Sequence, residues 1–344
     1  MDIRNRIFWR KDGKHEVCRI PGILRTPAGT ILCWGEARDT LSDWARIDLV
    51  LFRSEDGGET FSEPLTLAAG DKEHPTANNP VLIAARDGTL FFLYCRDYSV
   101  GGGNVFLRRS YDDGRSWTEP EDLMENTRPW KHKAVAFGPG HGIETPDGTL
   151  LVPVWFVEKS AGAELRSHHP AVVSSFYSKD GGKSWRLGEV IPAAEGCPDP
   201  NETAAALLSD GGVYFSVRLT GAGYRVETRS QTGYDGFAPL APVPSLPDPT
   251  CMGSVLSVRY GDRHVLISVN CASAERRENL TLRASFDDGR TWPRSLVVEP
   301  GDAGYSDLCL IPGEDPTICV LYEQRAGEVL RFARLPLSAL AGNE

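Results

Sequence analysis

Residues 110–117 read Ser-Tyr-Asp-Asp-Gly-Arg-Ser-Trp. The same pattern, Ser-x-Asp-x-Gly-x-Thr/Ser-aromatic, returns at 54–61, 178–185 and 285–292, and a worn copy runs from Ser230 to Phe237. One copy is a recipe for a tight turn. The Asp side chain accepts backbone N–H bonds, the Gly supplies a positive φ, and the aromatic ring covers the turn from below. Each copy follows an apolar run such as Ile47-Asp-Leu-Val-Leu-Phe52 or Ala171-Val-Val-Ser-Ser-Phe-Tyr177, and so reads as a hairpin tip. Successive copies start roughly 50 to 70 residues apart, and repeats of this length announce solenoids or propellers.

A second signal interleaves with the first. Gly29-Thr-Ile-Leu32, Asp87-Gly-Thr-Leu-Phe-Phe-Leu-Tyr94, Asp147-Gly-Thr-Leu-Leu-Val-Pro-Val154 and Asp210-Gly-Gly-Val-Tyr-Phe-Ser-Val217 are each a turn followed by a strand. Several short strands per repeat, with hardly any helical periodicity, predict an all-β chain folded as a β-propeller. Five tips and a C-terminal strand region, Tyr305 to Leu335, make six blades. The last blade is expected to be completed by the N-terminal strand, which leaves no open sheet edge. No Pro/Gly/Ser-rich linker divides the chain, so residues 1–344 are read as a single propeller domain.

Bulk properties narrow the function. The chain of 344 residues is 41% hydrophobic and 24% charged, which permits a large core. A net charge of −10 argues against nucleic acid or an anionic membrane as partner, because both need a basic face. Eight cysteines show neither CxxC pairing nor metal-ligand spacing, and read as reduced core residues. No run is long and apolar enough for a membrane span. The first residues lack the apolar stretch of a signal peptide, so a cytoplasmic location is the default expectation, and a secreted or periplasmic one if a leader was removed. The seven histidines show no paired ligand spacing, and His168-His169 reads as a loop doublet, so no metal is expected.

Other motifs are more specific than the turns. Cys18-Arg19-Ile20-Pro21, Gly138-Pro-Gly-His-Gly-Ile143, Pro200-Asn-Glu202, Gly304-Tyr-Ser-Asp-Leu308 and Leu321-Tyr-Glu323 occur in this order. With the repeated turns, they resemble the landmarks of the exo-α-sialidase (neuraminidase) family along nearly the whole chain. That resemblance implies a six-bladed sialidase-like propeller and a retaining hydrolase that releases terminal sialic acid from glycoconjugates without a cofactor. It also implies site residues. Arg19, Arg218 and Arg277 would form the triad that grips the sugar carboxylate, with Arg276 competing with Arg277 for the third place. A planar guanidinium suits that task because it binds a carboxylate through two parallel N–H bonds and keeps its charge. Glu323 would hold Arg19 in place.

Tyr305 would be the nucleophile, and sialidases are the recognised exception to the two-carboxylate rule of glycosidases. A neutral phenol can approach an anomeric centre that already bears a carboxylate, where a second carboxylate would be repelled. Its high intrinsic pKa demands a base, the role implied for Glu202. Beside Gly304, in a polar turn, Tyr305 is expected to be exposed. The general acid is expected on the segment 38–48: Asp43 matches the family's loop Asp best, Asp39 is the alternative, and Asp48 reads as structural. Trp44 is expected to exclude water from Asp43 and raise its pKa. Arg38 resembles the residue that reaches the sugar 4-hydroxyl, and Asn79 a pocket-lining position. Trp155 and Phe156 suit either a pocket floor or the core. The sequons Asn201-Glu-Thr and Asn279-Leu-Thr overlap this site and read as coincidental.

Three rival functions remain open at this stage. The same triad would serve another ulosonic acid, Kdn or Kdo. A non-catalytic glycan-binding propeller would need none of the chemistry. A transglycosidase differs only in how it excludes water.

Overall fold

The computed structural model describes residues 3–97, 104–123, 134–157, 168–192 and 194–342. Six antiparallel sheets radiate about a common axis as a six-bladed β-propeller. Blade 1 shows the plan, with strands Val17–Arg25, Ile31–Arg38, Ile47–Ser54 and Leu65–Ala68 running from the axis outward. Its second strand is buried at every position, because neighbouring blades cover both faces. The innermost strands of blades 2, 4, 5 and 6 are Ala77–Ala84, Pro200–Leu207, Ser254–Tyr260 and Ser306–Ile311. In blade 3 the inner edge is broken into Ala134–Phe137 and Ile143–Glu144, and between them Gly140–His141 pairs in parallel with blade 2. Arg4–Arg10 forms the outermost strand of blade 6, with Arg4 opposite Arg334, so the N-terminal strand closes the ring as expected.

The repeated turns share one hydrogen-bond pattern. In the copy at 110–117, Ser110 Oγ donates to Asp112 Oδ1 (2.9 Å) and accepts from Gly114 N (2.8 Å). Asp112 also accepts from Ser116 N (2.9 Å) and Ser116 Oγ (2.6 Å). The hydroxyl and backbone N–H of the following Ser hold the Asp112 and Asp180 carboxyls down to about 2. These bonds therefore contribute above the usual carboxylate range and are lost only as pH falls towards that value. In the worn copy Thr232 replaces the Asp, and Ser230 Oγ still caps Gly233 N (2.9 Å).

The turn glycines also join blade to blade. Each has a positive φ, and a Cβ added at Gly58, Gly182, Gly233 or Gly289 would collide with a side chain of the preceding blade, while at Gly114 it would only touch one. Gly114 faces Leu32, Gly182 faces Phe91, Gly233 faces Leu151 and Gly289 faces Tyr214. Gly58 of blade 1 faces Phe332 of blade 6, which carries the contact across the ring closure. Gly182→Ala is expected to cost about 1–3 kcal/mol, because it combines backbone strain with overpacking on Phe91. Urea denaturation should show a lower midpoint with an unchanged slope.

At the axis, Asp307 is fully buried and ties four segments together. It accepts hydrogen bonds from Ile23 N (2.9 Å) of blade 1, Ser254 Oγ (2.6 Å) of blade 5 and Leu308 N (2.9 Å) of its own strand. It also faces His141 Nδ1 at 2.8 Å, on the segment shared by blades 2 and 3.

Candidate active site

The innermost strands begin, and the second strands end, on the same face of the ring, while the repeated turns follow the third strands and lie at the opposite rim. Tyr305, Glu202, Asp43, Arg19, Arg218, Arg277, Arg38 and Asn79 line a cleft on that first face, and Glu323 stands behind Arg19. Register shifts in the inner strands help to aim them, since a bulge turns a side chain out of the regular alternation. They fall between Arg19 and Gly22, between Asn78 and Val81, and between Pro200 and Thr203. Two residues there, Ile20 (φ 55°) and Asn79 (φ 49°), adopt the left-handed conformation. Glu323 Oε1 accepts from Ile20 N (2.9 Å), and Glu36 Oε1 from Asn79 N (2.6 Å).

The result is a cleft of roughly 200 Å3 lined by Arg19, Arg38, Asp43, Asn78, Asn79, Trp155, His168, Glu202, Arg218, Thr250, Arg277 and Tyr305. At its floor Tyr305 Oη donates to Glu202 Oε1 (2.7 Å) and accepts from Arg218 Nη1 (2.8 Å). Arg218 also pairs with Glu202, and its Nε donates to Asn201 Oδ1 (2.6 Å). Arg19 and Arg277 stand over the Tyr305 ring at 5.1 and 5.2 Å. Arg19 donates to Glu323 (3.3 Å), and Arg277 to Thr250 O (3.0 Å). Three guanidinium groups thus concentrate positive charge on a protein whose net charge is −10.

The alternatives separate cleanly in space. Arg277 lines the cleft, whereas Arg276 points outward and pairs with Glu278 at 3.0 Å. Asp43 lines the cleft. Asp39 instead lines a separate groove of about 600 Å3, and Arg46 approaches it at 3.5 Å. Asp48 is buried under His15, Arg46 and Gly70 N, a structural role. Trp155 borders the cleft, and Phe156 belongs to the core between blades 2 and 3. Asn201 is buried with its amide engaged, which leaves no room for a glycan there.

Two expectations are corrected. Tyr305 is not exposed: only 6% of it reaches solvent. Burial pushes its phenol well above the ordinary range, and Glu202 adds to this, outweighing Arg218, Arg277 and Arg19. A standing phenolate is thereby disfavoured, and the phenol proton lies on the hydrogen bond to Glu202. Nor is Asp43 raised by Trp44. Burial does push its carboxyl up, but Arg38, by charge and a 2.6 Å hydrogen bond, prevails with help from His168 and Arg19, and holds it below the usual range. Arg38 is itself fixed by Glu36, through Nε at 2.8 Å.

Sequence reasoning missed three residues. Glu36 is fully buried and positions both Arg38 and Asn79. Asn78 lines the cleft beside Asn79 and donates to Asp43 O (3.2 Å). His168, read only as part of a loop doublet, does lie outside the strands, and it borders the cleft. The signal for Glu36 was a carboxylate inside an otherwise apolar strand, two residues before Arg38.

This architecture has well-populated company. Residues 65–315 match the BNR repeat-like domain. The sialidase of Micromonospora viridifaciens is 31% identical over 94% of this chain, which spans 52% of that relative's length. Among solved structures, the Hadza microbial sialidase Hz136 superposes with a TM-score of 0.82 at 23% identity, over 96% of this chain and 67% of that one. A Trypanosoma rangeli sialidase in complex with 2,3-difluorosialic acid, described as a covalent intermediate, gives 0.74 at 16% identity, over 96% and 58%. The chain belongs to the sialidase family of BNR-repeat propellers.

Proposed function

We propose that the chain is a retaining exo-glycosidase that releases terminal sialic acid through a covalent intermediate on Tyr305. The observation that carries this reading is the 2.7 Å hydrogen bond from Tyr305 Oη to Glu202, set among Arg19, Arg218 and Arg277. The substrate carboxylate binds the three guanidinium groups, which brings the anomeric carbon against the phenol. Tyr305 Oη attacks that carbon as its proton passes to Glu202. The glycosidic oxygen leaves with the bonding electron pair and takes a proton from the Asp43 carboxyl. In the second half Asp43 removes a proton from water, the water oxygen attacks the same carbon, and Tyr305 departs and recovers its proton from Glu202. Two inversions give net retention. The Trypanosoma complex described as a covalent intermediate supports such a step in a protein of the same fold. Arg38, locked at the rim, would orient a hydroxyl of the sugar ring, with Asn79 beside it.

Hydrolysis of fluorogenic glycosides of Neu5Ac, Kdn and Kdo, measured side by side, tests the proposal. Release from Neu5Ac is expected. Release from Kdn or Kdo alone would keep the mechanism and change the sugar. Folded protein silent on all three would make this a glycan-binding propeller.

A further inference from the structure

The proposed general acid presents a difficulty that the cleft itself answers. Asp43 Oδ1 is bound by Arg38 Nη1 at 2.6 Å, and Arg38 cannot retreat because Glu36 holds its other edge. A carboxyl fixed on a cation is ionised at neutral pH, and an ionised group has no proton to give. The second oxygen, Oδ2, faces His168 Nε2 at 3.9 Å. The imidazole stacks on Trp44 (ring centroids 5.2 Å apart, 18° between planes) and meets Trp155 edge-on at 5.9 Å. It is held in a slot of two indoles and aimed at the one Asp43 oxygen that Arg38 leaves over. Among the described residues, other charges reach this pair from Arg19 and Glu36 on the Asp43 side and from Glu202, Arg218 and His169 on the His168 side.

We propose that His168 is the positioning residue that keeps Asp43 supplied with its proton, an inference that rests on the glycosidase reading above. The imidazolium passes its Nε2 proton to Asp43 Oδ2, and Asp43 passes it to the glycosidic oxygen as the bond to the anomeric carbon breaks. The imidazole is left neutral with its proton on Nδ1. In the second half the proton taken from water travels the same way back and restores the imidazolium. The 3.9 Å gap exceeds a hydrogen bond, so the transfer requires the Asp43 and His168 side chains to close on each other by about 1 Å. Burial lowers the His168 pKa against the pull of Asp43 and Glu202, so the charged pair forms in mildly acidic solution and an acidic optimum follows.

The experiment compares two glycosides of the same sugar, one with an activated phenol as leaving group and one with a sugar alcohol. A departing phenolate needs little protonation, whereas an alkoxide needs a full proton. His168→Gln removes the titrating group, and His168→Phe also preserves the stack on Trp44. Both variants are expected to lose roughly 10²-fold or more in kcat/KM on the sugar glycoside, at least ten-fold more than on the phenyl glycoside. The alkaline limb of the pH profile for the sugar glycoside should move to lower pH. Equal losses on both substrates, or an unmoved alkaline limb, would overturn the inference and leave His168 a wall of the cleft. A parent protein inactive on both substrates would instead sink the glycosidase reading.

Discussion

Tyr305→Phe is expected to reduce kcat/KM on a sialic acid glycoside by roughly 10³- to 10⁵-fold, with the larger share in kcat. The substitution deletes one oxygen and leaves the ring between Arg19 and Arg277, whose guanidinium groups sit 5.1 and 5.2 Å from its centre. The carboxylate clamp therefore survives, and substrate should still bind. Arg218 and Glu202 remain paired with each other, so no isolated charge is left behind by the lost hydroxyl. What disappears is the atom that, in the proposed mechanism, forms the covalent bond and hands its proton to Glu202. Steady-state kinetics with a fluorogenic glycoside, checked by a thermal melt of the variant, measure the effect. A variant within ten-fold of the parent would show that the phenol oxygen does not attack the sugar.

Asp307→Ala carries the largest expected effect on stability, a loss of about 3–5 kcal/mol. The carboxylate is out of solvent and serves Ile23 N, Ser254 Oγ, Leu308 N and His141. Removing it strands two backbone donors and an imidazole at the meeting point of the blades, where no water replaces it at low cost. Denaturant unfolding measures the loss. The companion Asp307→Asn separates charge from hydrogen bonding, because it keeps an acceptor and discards the partner of His141. Burial alone would lower the His141 pKa, yet the charge and hydrogen bond of Asp307 raise it. A raised imidazole contributes stability that is fully present below about pH 6.5 and is lost as pH rises through the folded value. The parent should therefore weaken across that window, and Asp307→Asn should show a flatter dependence.

The legible part of this molecule was the local part. The five turns, their spacing and the interleaved turn–strand runs fix strand direction and blade number, since each is written within eight or ten consecutive residues. Arg19, Glu202 and Tyr305 stand in short motifs at the starts of inner strands, and so could be named. The electrostatics could not be read that way. Whether Asp43 is pushed up by Trp44 or held down by Arg38 depends on which side chain the 38–46 loop folds against. His168 joins Asp43 only because the residues just before the third strand of blade 3 lie beside the 38–46 loop of blade 1. The burial of Tyr305 has the same origin, because the arginines that cover it come from blades 1, 4 and 5. Contacts across blades follow from packing, and a repeat read along the chain says nothing about what stands beside it.

The contact between each turn glycine and the blade before it has a direction, and that direction matches synthesis. As blades 2 to 5 emerge from the ribosome, the side chain each turn must grip has already been made: Leu32 for Gly114, Phe91 for Gly182, Leu151 for Gly233, Tyr214 for Gly289. Each new sheet can cover the apolar face left by its predecessor, which limits how long sticky surface stays exposed. Blade 1 alone must wait. Its glycine, Gly58, needs Phe332, and the strand Arg4–Arg10 needs its partner Val329–Pro336, both in the last blade to appear. The growing protein is thus an open row that lengthens at one end, with both of its loose edges resolved together in a single late closure.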